Sequence, residues 1–578
     1  MNEWPLHFLA LGPLLLGAIT YFLPRRAYHW CMGIGNLILT AGAVQLFIQV
    51  RWGDPIEQYL AGWPAGVAIA LRADTVSMPL VVLTVLFFTC TYLFATRAGY
   101  MDKTFIFLFL LLEAAILGVL LSRDLFNIYV IMELGMICIA ILIMYKQEQQ
   151  SVYDGIVYIM MNFIGMAFML LGIAYLYRIT GVLDLQLIHE RLMDLEDPRV
   201  AIIPYALIMT AIAMKAALWP LFSWLPRAHG APSAPAIVSA VLSGVQVKVG
   251  VYLLIRLNMV FEPVMDAREF FLIVGLITST VGFLLAVVQN DIKLILAYST
   301  ISQVGLIVAG LHLGTPEAYW GSMYHIINHA LFKGLLFLTA GVIIEAYKTR
   351  SCSDIRGVLR RMPFMGAVSL VAILGIIGTP FFNGSISKYF ISVGAVDNPA
   401  EIAFYLINFG TMLCFIKYAT ILFGQPPDPV SYQRDPFIGG VSLVFSLAIL
   451  AGGLLGGPTI ALLYGAEYAT RGALGANKIL LFLATLSAAL VVYRWIIFRW
   501  DEKCSIIRSF KPNFNQITGL ITFFFAALFA YSIYVHAGWA PEETEKDLEL
   551  ETTPAHVIIC PHCAREIHLC AEQEHQHQ

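Results

Sequence analysis

Several residues of this chain place groups that can exchange a proton where apolar side chains are the norm. Lys215 ends one apolar stretch and opens the run Lys215-Ala-Ala-Leu-Trp-Pro-Leu-Phe-Ser-Trp-Leu-Pro-Arg-Ala-His229; Lys248 lies deep in the next stretch. Glu133 sits in Phe126-Asn-Ile-Tyr-Val-Ile-Met-Glu-Leu-Gly-Met with hardly any polar company. His325, His329 and Lys333 follow one another at four-residue steps with Asn328 beside them, and Lys388 stands after the break Pro380-Phe-Phe-Asn-Gly384. A charge near the centre of a bilayer costs ~2.5–3.5 kcal/mol even on lenient insertion scales, so such residues face a bundle interior or a water path and mark function.

The chemistry these types allow is proton transfer. An unpaired buried carboxyl prefers its neutral form and a nearby lysine reverses that, so a Glu133–Lys215 pair can switch between neutral and charged arrangements. A static ion pair joining two helices is the plainer alternative. Residues four apart stack on one helix face, which makes His325, His329 and Lys333 a polar stripe about two turns long. Histidine titrates near neutral pH and suits a relay. A metal site and interhelical packing bonds are the rival readings of the same stripe.

These groups must be held by membrane helices. Of the 578 residues 59% are hydrophobic and 13% charged, too apolar for a chain whose surface meets water. The apolar runs are about 20 residues long, the length of a helix that crosses ~30 Å of hydrocarbon, and barrel strands would be shorter and alternating. The expected fold is therefore an all-α polytopic membrane protein. Runs fall near 5–23, 29–50, 75–96, 104–121, 125–145, 157–177, 202–222, 235–256, 270–288, 294–314, 319–346, 364–396, 402–424, 437–463, 477–498 and 514–536, about sixteen spans. The first is read as a retained helix, not a signal peptide.

Lysine and arginine gather in the connections holding Arg25 and Arg26, Arg97 and Lys103, Lys348 to Arg361, and Arg499 to Lys511. The acidic stretch Asp184 to Asp197 and the loop with Asp397 and Glu401 fall opposite, which places both termini outside by the positive-inside rule. The breaks at Pro220 and Pro380 lie five spans apart, each with a lysine nearby. Paired interruptions of this kind trace inverted repeats in transporters; two unrelated proline kinks are the alternative.

Taken together, these residues resemble the antiporter-like membrane subunits shared by respiratory complex I, the Mrp cation/proton antiporters and the energy-converting membrane-bound hydrogenases. The resemblance rests on Glu133, on Lys215-Ala-Ala-Leu-Trp-Pro-Leu-Phe-Ser-Trp-Leu-Pro, on Ile-Val-Ser-Ala-Val-Leu-Ser-Gly-Val-Gln-Val-Lys248, on Asp291-Ile-Lys293 through Tyr298-Ser-Thr-Ile-Ser-Gln303, and on His325-Ile-Ile-Asn-His329-Ala-Leu-Phe-Lys333. It covers roughly residues 70–425. It implies about 14 core transmembrane helices as two inverted five-helix repeats with broken helices 7 and 12, here with about two extra C-terminal helices. The expected division is 1–103 for helices 1–3, 104–256 and 257–424 for the two repeats, 425–540 for the C-terminal helices and 541–578 for a hydrophilic acidic tail. Position by position, the resemblance implies that Glu133 and Lys215 form a gate and that Lys248, His325, His329 and Lys333 form a relay ending at Lys388. It places His229 on the uptake side.

The implied function is that of a proton-translocating subunit of a larger cell-membrane complex of prokaryotic type. The expected partners are other membrane subunits and protons, with sodium left open and no nucleic acid. A self-sufficient secondary transporter and a structural scaffold are the alternatives. No glycine-rich phosphate loop and no cluster-ligand spacing occur in the membrane core, so no cofactor is expected there and any redox energy would come from partners. Cys31, Cys90, Cys138, Cys352, Cys414 and Cys504 are scattered singly. In the tail, Cys560, Cys563, His568 and Cys570 make a candidate zinc set; a Cys560–Cys563 disulfide or a disordered tail are its rivals.

Overall fold

The computed structural model describes residues 5–63, 66–230, 234–426, 434–466, 470–500, 508 and 512–538. In hydrocarbon every backbone group needs a partner within its own segment, and helices answer that need. In order they are α1 (Leu6–Phe22), α2 (Arg25–Trp52), α3 (Ser77–Ala95), α4 (Lys103–Leu121), α5 (Leu125–Met144), α6 (Gln149–Thr180), α7 (Leu185–Met193), α8 (Ile202–Lys215) and α9 (Trp224–Gly230). Then come α10 (Ala236–Val241), α11 (Val247–Phe261), α12 (Arg268–Val288), α13 (Ile292–Leu311), α14 (Pro316–Tyr347), α15 (Val358–Arg361), α16 (Pro363–Ile377), α17 (Asn383–Gly394) and α18 (Glu401–Ala419). The chain ends in α19 (Pro436–Leu454), α20 (Gly456–Tyr464), α21 (Ala476–Val492), α22 (Phe498–Trp500) and α23 (Phe514–Gly538). Fourteen helical stretches among the described residues are long and apolar enough to cross a membrane, and Leu6–Phe22 and Pro363–Ile377 are shorter apolar helices.

Aspartates at the membrane faces start several of these helices. Asp102, Asp124, Asp184, Asp291 and Asp435 each accept backbone N–H groups of the first turn, satisfying donors that have no partner inside the helix.

Two features depart from a reading of bare spans and loops. Residues Ile56–Tyr59 (β1) and Ala70–Ala73 (β2) pair as an antiparallel hairpin, with Ile56 opposite Ala73 and Tyr59 opposite Ala70. The acidic stretch after Asp184 holds α7, which buries Leu185, Ile188 and Leu192 on one face and leaves its charges outward. Both segments are too short and too polar for a search tuned to 20-residue apolar runs.

The chain repeats its own geometry. α5 and α13 have 20 residues each, and α6 and α14 have 32 each. Gly181 and Lys348 end the two long helices in the left-handed region, at φ 73° and φ 56°. An isolated bridge joins Asp124 to Asp184, and another joins Asp291 to Ser351. The steps from Asp124 to Asp291, Gly181 to Lys348 and Asp184 to Ser351 are all 167 residues, with no insertion between them.

Both expected breaks are present. α8 stops at Lys215; the chain turns through Ala217 at φ 54° and a cis Trp219–Pro220 peptide, and α9 resumes at Trp224. α16 stops at Gly378, φ 77°, and α17 starts at Asn383. Gly250 of α11 lies so close to the first break that an added Cβ would stand 2.6 Å from the Lys215 carbonyl carbon, so only glycine fits. α21 fully buries only Ala489, whereas α23 packs on the first break through the ring contact Trp219–Phe523 and on α6 through Phe168–Phe525.

Candidate functional site

Lys215 is buried at the last turn of α8, and its Nζ donates a 2.9 Å hydrogen bond to Asn162 Oδ1 on α6. Lys215 rests here on Asn162 and not in direct contact with Glu133. Glu133 is half-buried on α5, and among the described residues no ion pair within 4.0 Å joins it to Lys215. The reason lies in the packing. Gly165 and Gly172 of α6 meet Met214 and Ile208 of α8 with no room for a Cβ, so α6 brings its polar face nearest the lysine.

Lys248 sits where the helix widens. Residues Leu242–Gln246 form a π-helical turn between α10 and α11, and such turns free a carbonyl from the regular ladder. Lys248 Nζ donates to the Ser243 carbonyl and meets His329 Nδ1 at 2.6 Å. Ser243 Oγ in turn lies 2.7 Å from Thr300 Oγ1 of α13.

The stripe on α14 is wholly buried. His325, His329 and Lys333 have no exposed surface, and Asn328 is 1% exposed. His325 Nε2 lies 3.0 Å from Gln303 Oε1, whose amide donates to Thr411 Oγ1, and Nδ1 lies 2.8 Å from Ser387 Oγ. This network assigns the proton to Nε2 and leaves Nδ1 as an acceptor. The His325 and His329 ring centroids are 6.3 Å apart. Lys333 Nζ donates to Leu296 O at 2.8 Å and to Ser299 Oγ, and stands 5.4 Å from the Phe415 ring. Lys388, buried on α17, donates to Ile376 O across the second break at 2.8 Å. The carbonyl freed where α16 ends is what holds it.

His229 is fully buried, stacks on Phe337 with centroids 4.5 Å apart, and among the described residues neither ring nitrogen has a hydrogen-bond partner. Lys293, also buried, donates to Ala234 O at 2.8 Å beside it in the chain path.

Sequence reasoning missed several polar groups. Asn162 is one. Glu113 of α4 is another: it has no exposed surface, and among the described residues neither carboxyl oxygen has a hydrogen-bond partner. Each is a lone polar residue in an apolar run, the same signal that marked Glu133. A third group lies where the hairpin meets the bundle, around a cavity of about 450 Å³ lined by Arg72, Arg123, Arg256, Gln186, His189 and Glu262 among others. Arg256 Nη2 donates to both Asp74 oxygens at 2.5 Å, and Arg123 binds Asp184 and Glu57 at 2.7 Å each. Burial, the largest single influence, would raise the Asp74 carboxyl, but Arg256, the Ser77 backbone N–H and Arg72 together outweigh it and Asp74 is pushed down to about 2. These partners are 60 to 180 residues apart in the chain, so no local motif announces them.

Cys560, Cys563, His568 and Cys570 lie outside the described residues. Among the described residues no three His, Cys, Asp or Glu side chains gather as a metal site.

Residues 122–414, from the turn before α5 to the middle of α18, match the family described as NADH:quinone oxidoreductase/Mrp antiporter, TM. The chain belongs to this family. The match takes in Glu133, Lys215, Lys248, the α14 stripe and Lys388. Among curated relatives, NADH-quinone oxidoreductase subunit N of Desulforudis audaxviator is 31% identical over 427 residues, covering 72% of this chain and 85% of the relative. A chain of the membrane-bound sulfane sulfur reductase, an archaeal respiratory membrane complex, superposes with TM-score 0.74 at 25% identity, covering 82% of this chain and 99% of that one. A chain of the Mrp complex from a Dietzia species gives TM-score 0.74 at 24% identity over 83% of this chain and 99% of its own, a likeness of fold. Family membership and span count together make this a multi-pass antiporter-like membrane subunit.

Proposed function

We propose that this chain is a proton-translocating subunit of a multisubunit membrane complex, and that its protons travel along Glu133, Lys215, Lys248, His325, His329, Lys333 and Lys388. Relatives named for a quinone oxidoreductase, a sulfur reductase complex and an Mrp complex support the role of a subunit working beside others. The observation that carries the path is the 2.6 Å contact of Lys248 with His329, which ties the bulged helix of the first half to the polar stripe of the second. His325 then reaches α17, the helix of Lys388, through Ser387. The 167-residue register supports reading 104–256 and 257–424 as two repeats, each ending its own half-path at a broken helix.

Each lysine holds a proton on a carbonyl, amide or imidazole, and can pass it on when a neighbouring charge changes. Moving one charge across 100 mV takes ~2.3 kcal/mol, and a change of one pKa unit is worth ~1.4 kcal/mol. Modest changes in the Glu133–Lys215 separation therefore suffice to gate transfer. The tail belongs to the proposal as a zinc site on Cys560, Cys563, His568 and Cys570, a four-donor sulfur and nitrogen set. Metal content of the purified chain tests it: one zinc per chain, lost in Cys560→Ser/Cys563→Ser, is expected, and no bound zinc refutes it.

The main test is proton pumping in sealed vesicles holding the assembled complex, with Glu133→Ala and Lys215→Ala compared with the parent at matched assembly. Loss of pumping is expected in both. Unchanged pumping would place the path elsewhere.

A further inference from the structure

Asn162 occupies a place with a counterpart. Its Oδ1 accepts a 2.9 Å hydrogen bond from Lys215 Nζ, while its Nδ2 donates to the Tyr158 carbonyl at 2.9 Å, so both ends of the amide are fixed and its orientation is set. The side chain is 1% exposed. In the 167-residue register, Asn162 of α6 corresponds to His329 of α14, whose Nδ1 meets Lys248 Nζ at 2.6 Å. Tyr158 likewise corresponds to His325. Tyr158 packs its ring on Trp224 of α9, and His325 bonds Ser387 of α17, so each touches the helix that follows its break.

The two long helices therefore present one acceptor to one lysine at the same step, and the acceptors differ in one chemical respect. An imidazole can take the proton it is offered; a carboxamide cannot at any accessible pH. At His329 the proton can move on. At Asn162 it must stay on the lysine.

We propose that Asn162 is a positioning residue of the first half-path: it forms a non-protonatable seat in which Lys215 rests away from Glu133, so that Lys215 carries its proton between the two instead of collapsing into a permanent ion pair. This rests on the reading of Lys215 as a proton carrier. No bond other than hydrogen bonds is made or broken, and the proton stays on Nζ in the seat. A seat of this kind needs a neutral acceptor at the right reach. It does not need the shape of asparagine.

That distinction sets the test. Asn162→Asp keeps the shape and adds a charge, whereas Asn162→Gln changes the shape and keeps a neutral, non-protonatable acceptor. Pumping is measured in sealed vesicles holding the assembled complex at matched assembly, with thermal unfolding of each variant recorded. The seat predicts that Asn162→Asp pumps about tenfold slower or worse, ~1.4 kcal/mol in barrier, without a lower unfolding temperature. It also predicts that Asn162→Gln retains pumping to within about threefold, under 1 kcal/mol. A packing role predicts the reverse order. Parent-like pumping in Asn162→Asp overturns the proposal, and so does equal loss in Asn162→Asp and Asn162→Gln. Lys215→Ala in the same vesicles separates the two levels. If it pumps normally, the carrier reading fails along with the seat; if it is silent while Asn162→Asp pumps, only the seat fails.

Discussion

His329→Leu tests the junction between the two halves. In the parent, Lys248 Nζ has two partners, the Ser243 carbonyl and His329 Nδ1 at 2.6 Å. Leucine fills the ring's place among fully buried neighbours but offers no acceptor, so the ammonium keeps one partner in a dry site. Hydrogen bonds to charged groups contribute ~1.5–3 kcal/mol, and that loss falls on the protonated form of Lys248 alone. If transport passes through that form, the rate falls by roughly 10- to 100-fold, since each ~1.4 kcal/mol is a factor of ten. His329→Gln restores an acceptor but not a carrier; it should keep the protein as stable as the parent while still pumping poorly. The assay is the initial rate of acidification in sealed vesicles, normalised to assembled complex. Pumping by His329→Leu within twofold of the parent would refute the reasoning, because a wire cannot lose its central link and conduct.

Other perturbations follow from the same geometry. Asp74→Asn leaves the half-buried Arg256 without its carboxylate, and losing this charge-assisted pair should cost ~1.5–3 kcal/mol, which thermal unfolding in detergent measures; a cost under about 1 kcal/mol would contradict the pairing. Because Asp74 is held near 2, its contribution is present above the unfolded carboxylate value of ~3.9 and is lost as pH falls from there through about 2, so the parent but not Asp74→Asn should show this acid component. Gly250→Ala drives a methyl into the backbone at Lys215 and should cost ~1–3 kcal/mol and slow pumping; a neutral result would mean the break is not fixed by α11. Glu113→Leu removes two buried oxygens that have no partner among the described residues, and should raise stability by ~1–3 kcal/mol, read as a higher unfolding temperature; a fall would mean that a partner subunit or solvent completes that site.

The spans and both broken helices were legible because apolar length and proline interruptions are local signals. The α14 stripe was legible for the same reason: His325, His329 and Lys333 share a face by spacing alone. What the spacing could not give was the partner of each lysine. Lys215 turns to Asn162 because two glycines bring α6 close to α8, a fact of packing between segments about 50 residues apart. The Lys248–His329 contact spans 81 residues and depends on a π turn that no composition marks. The hairpin and α7 escaped notice because they are short, and the Asp74–Arg256 pair because its members are 182 residues apart. A repeat was hinted at by the two proline breaks at Pro220 and Pro380, yet its 167-residue register becomes plain only when helix lengths and left-handed caps are laid side by side.

The most direct test of the central claim is the number of protons moved per turnover of the assembled complex in Lys248→Leu. Lys248 joins α11 to α14, and every route from Lys215 to Lys388 along the proposed chain passes it. The account predicts that turnover and assembly persist in some measure while protons attributable to this subunit fall to none. An unchanged ratio of protons to turnover would contradict it and return these lysines to the role of packing.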